Sequence, residues 1–195
     1  FTFMIECARV VQQNATRRIL RVLKTVEVQE GKSLARVQPN REGEEGCVLG
    51  VEIEFDNSII NRQMLSYDFR DVTFKQTLSR ARTFGFEHEV EAMRANGLAL
   101  GGSLDNAVVV GKDKVLNEEG LRYGDEFVRH KALDCLGDLF LAGLRIDGRF
   151  DFIRPGHGIN NSLLRALFAD KSAYVITPAD ALPEPLVARP SRDAV

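Results

Sequence analysis

Apolar residues change their spacing several times along this chain, and each change marks a new element. Phe3, Met4, Cys7, Ala8 and Val11 have the spacing of one helix face over residues 2–13, and Asn14 and Ala15 interrupt it. Ile19–Gln29 and Leu34–Gln38 read as strands around the turn Glu30-Gly31-Lys32, and Val48–Phe55 alternates apolar residues with Gly and Glu. Tyr67–Arg70 predicts a short strand, Asp71–Ser79 a helix through Val72, Phe74 and Leu78, and Glu87–Asn96 a helix closed by Gly97. Ala107–Val110 is a buried-strand run, Lys112-Asp113-Lys114 turns into a short Val115-Leu116 strand, and Ile146–Ile153 is another strand. Two longer amphipathic helices complete the pattern. One covers Phe127–Leu144 with its stripe through Phe127, Leu133, Gly137, Leu141 and Leu144; the other follows Gly156-His157-Gly158 through Leu163, Leu164, Leu167 and Phe168.

Strands first and helices later predict an α+β fold: a two-layer sandwich with a mostly antiparallel sheet against two main helices. Neither an internal repeat nor a dividing linker is visible. The expected organisation is a helix or linker over 1–16, one domain over 17–177, and a tail over 178–195 that contains Pro183, Pro185 and Pro190.

Composition narrows the function classes. A chain of 195 residues with 44% hydrophobic and 28% charged residues has the makeup of a soluble globular protein. A formal net charge of -2 provides no field suited to nucleic acid, so a cluster such as Arg17, Arg18, Arg21 and Lys24 reads as a solvated face, and nucleic-acid binding through it or through Arg80 and Arg82 is not expected. No apolar run approaches about 18 residues, and no signal-peptide pattern opens the chain. Cys7, Cys47 and Cys135 are odd in number and far apart, which fits a reducing cytoplasm better than a disulfide framework. The first residues, Phe-Thr-Phe without an initiator Met, read as the middle of something longer.

Candidate chemistry concentrates in Arg129-His-Lys-Ala-Leu-Asp134. His130 and Asp134 lie one helical turn apart and can converge on one ion, with Asp138 following on the same face. They fall inside the apolar stripe, where a charged group must be paired, protonated or metal-bound. Spacing leaves two readings open, a metal pair or a buried ion pair. His88, in Glu87-His-Glu89, reads as solvent-facing. His157, between glycines at a helix start, can act as a proton donor or oxyanion stabiliser if Asp138 holds its tautomer. Together these groups suggest metal-assisted hydrolysis.

Ser79-Arg-Ala-Arg-Thr-Phe-Gly85, Leu100-Gly-Gly-Ser103, Val115-Leu-Asn-Glu118, Gly120-Leu-Arg122, Glu126-Phe-Val-Arg-His-Lys131, Asp134, Gly137-Asp-Leu139, Gly156-His157 and Asn160-Asn161 occur in that order. In this series the chain resembles the C-terminal half of the UDP-3-O-acyl-N-acetylglucosamine deacetylases, from Phe1 to about Tyr174. The resemblance implies zinc-dependent removal of an acetyl group from a UDP-linked acylated glucosamine, in the lipid A synthesis of Gram-negative bacteria. It also implies a cytoplasmic enzyme of two similar domains facing one another across the active site, with residues 1–16 between them.

Carried onto this sequence, the resemblance implies His130 and Asp134 as zinc ligands, His157 as general acid or oxyanion stabiliser, Asp138 as its orienting carboxylate and Thr83 as an oxyanion donor. It implies Phe84 and Phe86 against the sugar and the mouth of an acyl passage, with Val90, Leu98 and Ala99 along that passage. Lys131, Phe55, Glu89 and Arg154 would contact substrate carbonyl, uracil or phosphate groups. The family's third zinc ligand, a histidine, and its general-base glutamate come from the N-terminal domain, and neither motif is in this sequence. The 195-residue chain is therefore expected to be close to inactive alone, monomeric only with its missing domain, prone to self-association without it, and open to transient membrane contact. The competing reading is a non-catalytic module of the same fold that binds a UDP-sugar, an acyl chain or a partner protein.

Overall fold

A computed structural model describes residues 13–57, 59–69, 74–98 and 100–179, together with Met4, Cys7, Ala8 and Val11. Of the expected first helix, Met4, Cys7 and Ala8 are helical, and the remainder lies outside the described residues, as does the tail beyond 179. The strands are β1 (Arg18–Val22), β2 (Val26–Glu30), β3 (Ser33–Gln38), β4 (Cys47–Glu54), β5 (Arg62–Asp68), β6 (Thr83–Phe86), β7 (Ala107–Val110), β8 (Arg145–Ile153) and β9 (Tyr174–Pro178). The helices are α1 (Phe74–Thr77), α2 (Glu87–Ala95), α3 (Glu126–Leu139) and α4 (His157–Ala169), with a 3-10 turn at Phe140–Ala142.

Seven strands form the main sheet, and β8 is its hub. It pairs in parallel with β1 and β4 and antiparallel with β3; β2–β3, β4–β5 and β1–β9 are antiparallel, so the α+β expectation with a mostly antiparallel sheet holds. Asp147 of β8 faces Arg21 of β1, and Phe150 and Phe152 face Val37 and Ala35 of β3. Gly148 sits where these partners meet: a Cβ there would lie 2.9 Å from Val22 Cγ2 and 3.2 Å from the Gln38 carbonyl. α4 packs over β2 and β3, while α3 packs over β4 and β5 and against α4. Leu20, Leu49, Ile53, Phe127, Phe150, Phe152, Leu163 and Leu167 fill the layer between. Among the described residues, no helix is long and apolar enough to cross a membrane.

Several expectations change. Ile19–Gln29 is two strands, because the chain leaves the sheet at Leu23–Thr25, where the Leu23 amide donates to the Ala173 carbonyl. The strand placed at Tyr67–Arg70 begins earlier, at Arg62, and the helix expected over 71–79 is described only as Phe74–Thr77. The long helix ends at Leu139 and tightens into the 3-10 turn, closed by Gly143 at φ 69°. Its core face is Val128, Ala132, Cys135 and Leu139. Of the stripe expected to be buried, Phe127 is in the core, but Gly137 and Leu141 are exposed, and Leu133 and Leu144 are half-buried.

A second, two-stranded parallel sheet, β6–β7, is fastened to α3 by buried charge. Glu126, fully buried in the first turn of α3, accepts from Arg82 Nε (3.0 Å), Arg82 Nη2 (3.1 Å), the Arg82 amide (3.0 Å) and the Arg122 amide (2.6 Å). Arg82 also reaches Glu119 and the Gly120 carbonyl. Burial alone raises the Glu126 pKa, but the guanidinium and the two amides outweigh it and hold the carboxyl below its ordinary range. Glu126→Ala leaves the buried Arg82 guanidinium only the half-exposed Glu119 and the Gly120 carbonyl and is expected to cost about 3 kcal/mol, read as a lowered urea midpoint; an unmoved midpoint contradicts this account. Because the folded-state pKa is depressed, the contribution is present above the unfolded carboxylate value of about 4.3 and is lost as pH falls through the folded value.

Candidate functional site

Three elements meet at one cleft of about 460 Å³. β6 brings Thr83, Phe84 and Phe86, α3 brings His130, Lys131 and Asp134, and α4 opens with His157; Phe55 and Glu89 complete the wall. Aromatic rings set its floor. Phe84 meets Phe127 edge-on at 5.0 Å, Phe55 at 5.7 Å and the His130 ring at 6.1 Å. Phe84 therefore packs against the core and also lines the cleft.

His130 Nε2 lies 3.4 Å from Asp134 Oδ1, and Lys131 Nζ lies 3.2 Å from Asp134 Oδ2. Two ligands held about 2.0–2.2 Å from one tetrahedral ion are about 3.3–3.6 Å apart, so the pair has the spacing of a tetrahedron's edge. Nδ1 of His130 is buried near the Ala81 carbonyl but has no partner in hydrogen-bond geometry. Burial pushes the His130 pKa below its ordinary value against the pull of Asp134, with Lys131 adding to the push. A neutral imidazole with a bare Nε2 is the form a metal takes. Among the described residues no third His, Cys, Asp or Glu joins them into a metal-holding group. The residues present fit two positions of a zinc site.

His157 forms a separate dyad. Its Nδ1 donates to Asp138, 2.9 Å from Oδ2 and 3.0 Å from Oδ1, which leaves Nε2 of an imidazole 73% exposed open to the cleft that His157 lines. Gly156 precedes it as the N-cap of α4. The dyad thus links α3 to α4 at their exposed ends.

The other candidates divide. Val90 lines an adjoining cavity of about 430 Å³ together with Phe84, Gly85, Met93, Leu104 and Leu116. Leu98 is exposed and outside that lining, and Ala99 lies outside the described residues. Arg154, at φ 49°, pairs with Glu54 and lies outside the cleft lining. His88 is exposed and stacks on Phe86, as its charged surroundings suggested. Arg82 is buried against Glu126, since a carboxylate is enclosed with it. Sequence reasoning missed that pair and also Asn160, whose amide donates to Asp138 Oδ2 at 2.8 Å. The available signals were Glu126 one turn before His130, and Asn160 one turn after His157.

The two-layer α+β domain thus presents a His–Asp pair and a His–Asp dyad, carried on two helices, to one aromatic-floored cleft. The chain belongs to the UDP-3-O-acyl N-acetylglycosamine deacetylase family, whose pattern matches residues 1–169. It is 46% identical over 190 residues to the UDP-3-O-acyl-N-acetylglucosamine deacetylase of Stenotrophomonas maltophilia (strain K279a), covering 95% of this chain and 61% of that relative. It is 47% identical over 176 residues to the deacetylases of the same name from Neisseria gonorrhoeae and Neisseria meningitidis, covering 89% of this chain and 56% of each relative. The chain thus spans 56–61% of the length of these curated relatives.

Phe84→Ala removes a ring shared by core and cleft and is expected to lower stability by about 3 kcal/mol, while Phe84→Leu retains most of it. Thermal unfolding of the two variants checks this; equal melting temperatures for Phe84→Ala and the parent would place the ring outside the core.

Proposed function

We propose that this chain is the C-terminal part of a zinc-dependent deacetylase that hydrolyses the N-acetyl group of UDP-3-O-acyl-N-acetylglucosamine in lipid A synthesis. The observation that carries this reading is the convergence of His130, Asp134, His157, Thr83 and Lys131 on one cleft. Family membership and the relatives' names support it.

An acetamide yields to water only if negative charge on its carbonyl oxygen is stabilised and its nitrogen is protonated on leaving. As an imidazolium His157 is placed for either duty, because Asp138 accepts its Nδ1–H and the Nε2–H is left to the cleft. The exposed Thr83 hydroxyl can donate to the same oxygen, and Lys131 supplies positive charge beside Asp134. His130 and Asp134 would hold zinc, which when bound supplies a Lewis acid and an activated water. The third ligand and the general base would come from the part of the family's length that this chain does not span.

Phe55, Phe86, Glu89 and Arg154 are proposed to meet the sugar, uracil and phosphates. The cavity beside Val90 would take the start of the acyl chain, with Leu98 and Ala99 further along it. Gly85 forms its neck, since a Cβ there would stand 3.3 Å from Val90. The free, scattered cysteines agree with a cytoplasmic setting.

The outward face of α3 is where the rest of the protein would dock. Phe69, Phe74, Leu136, Phe140, Leu144 and Ile146 line a groove of about 530 Å³, and Phe140 and Leu141 are 69% and 68% exposed. Apolar surface of this kind is normally covered.

Purified alone, the 195-residue chain is expected to bind one zinc weakly, to lose it in His130→Ala, and to show no chelator-sensitive deacetylation. Turnover by the isolated chain would overturn the division of labour, and unchanged zinc content in His130→Ala would overturn the metal site. Sedimentation should show self-association that Phe140→Ser combined with Leu141→Ser suppresses; a clean monomer of the parent at high concentration would remove the docking face.

A further inference from the structure

Asp138 is held from two points on α4. His157 and Asn160 lie three residues apart in the first turns of that helix, so their side chains share a face. Both point at the same carboxylate: His157 Nδ1 is 2.9 Å and Asn160 Nδ2 is 2.8 Å from Asp138 Oδ2. The two holds differ in their surroundings. His157 is 73% exposed and little restrained by packing, whereas Asn160 is fully buried.

The orientation of the Asn160 amide follows from its partner. An ionised carboxylate only accepts hydrogen bonds, so the amide must turn its NH2 toward Asp138. The same NH2 lies 3.6 Å from the Cys135 thiol, and the amide oxygen is left buried with no donor. That orphaned acceptor costs stability, and an apolar side chain of equal size would avoid it. A polar residue kept in the core at such a cost has work for its donor.

We propose that Asn160 is a positioning residue that acts through Asp138 on His157. Its buried N–H fixes the rotation of the carboxylate, the fixed carboxylate holds the His157 proton on Nδ1, and Nε2 is thereby kept facing the cleft. Without Asn160 the carboxylate turns toward solvent at its partly exposed edge. The imidazole then reverts to the balance of a free ring, in which Nε2 carries the proton. The catalytic consequence rests on the role proposed above for His157; the anchoring itself does not.

The test separates the two. In the 15N-histidine-labelled 195-residue chain, at a pH where the ring is neutral, long-range 1H–15N spectra report which His157 nitrogen carries the proton. Asn160→Leu keeps the volume and removes the donor, and is expected to shift the tautomer ratio several-fold toward Nε2–H. Added to Asp138→Asn, it should change nothing further, because it acts only through that carboxylate. A wild-type tautomer ratio in a folded Asn160→Leu chain, or a further shift on the Asp138→Asn background, would overturn the proposal. Should Asn160→Leu not fold, Asn160→Ser, too short to reach Asp138, is read in the same way with the same two outcomes. In the protein carrying the family's full length, Asn160→Leu should lower kcat about tenfold at unchanged KM. A tautomer shift with undiminished kcat would uphold the anchoring and remove His157 from the chemistry.

Discussion

The cleft exists because two opposite charges are buried together. Arg82 and Glu126 are both nearly or fully inaccessible, and neither would be tolerated there without the other. Their contact fixes where the small β6–β7 sheet lies along α3. Since Thr83 follows Arg82 directly and His130 lies one turn after Glu126, the same contact sets the hydroxyl of one element beside the imidazole of another. An apolar contact could hold the layers together equally well, but it would leave their sliding register less defined. The carboxylate's four donors specify one register.

Polar anchoring recurs away from the cleft. Asp147 in β8 accepts from Arg21, Asn40 and the Gly46 amide, tying the 39–46 loop to the sheet. Asn117 accepts from the Val109 amide and donates to the carbonyls of Leu104 and Ala107, holding the connection after β7. The sandwich is apolar between its layers, and the places where irregular chain joins it are fixed by single buried polar side chains. The Asn160–Asp138 contact belongs to this pattern, with the difference that its far end opens on the cleft.

Much of this was legible in the sequence because it rests on local periodicity. The strands at Leu34–Gln38, Val48–Phe55, Ala107–Val110 and Ile146–Ile153, and the helices after Glu87 and Gly156, announce themselves by alternation or by helical spacing. His130, Asp134 and His157 were legible as chemistry because ionisable groups at such spacings need partners. What escaped depends on contacts between distant segments. β6 reads poorly because it is short and borrows its stability from α3 and β7, and β9 because its pairing with β1 is not signalled by its own pattern. The facing of α3 was misjudged because its apolar residues cover more than one side, and only the sheet's position says which side is core. The Arg82–Glu126 pair escaped because its two members lie 44 residues apart in the chain.

The place of β8 in the sheet bears on how the chain is made. Its partners β1, β3 and β4 are all synthesised long before it, and none of the three pairs with another of them. A nascent chain emerging from the ribosome therefore carries hairpins with open edges until β8 appears. Joining of β1, β3 and β4 into one sheet waits for β8, and the first residue of α4, His157, follows it by four residues. An interruption of synthesis before residue 145 would leave the edges of β1, β3 and β4 that β8 covers open to pairing with other chains.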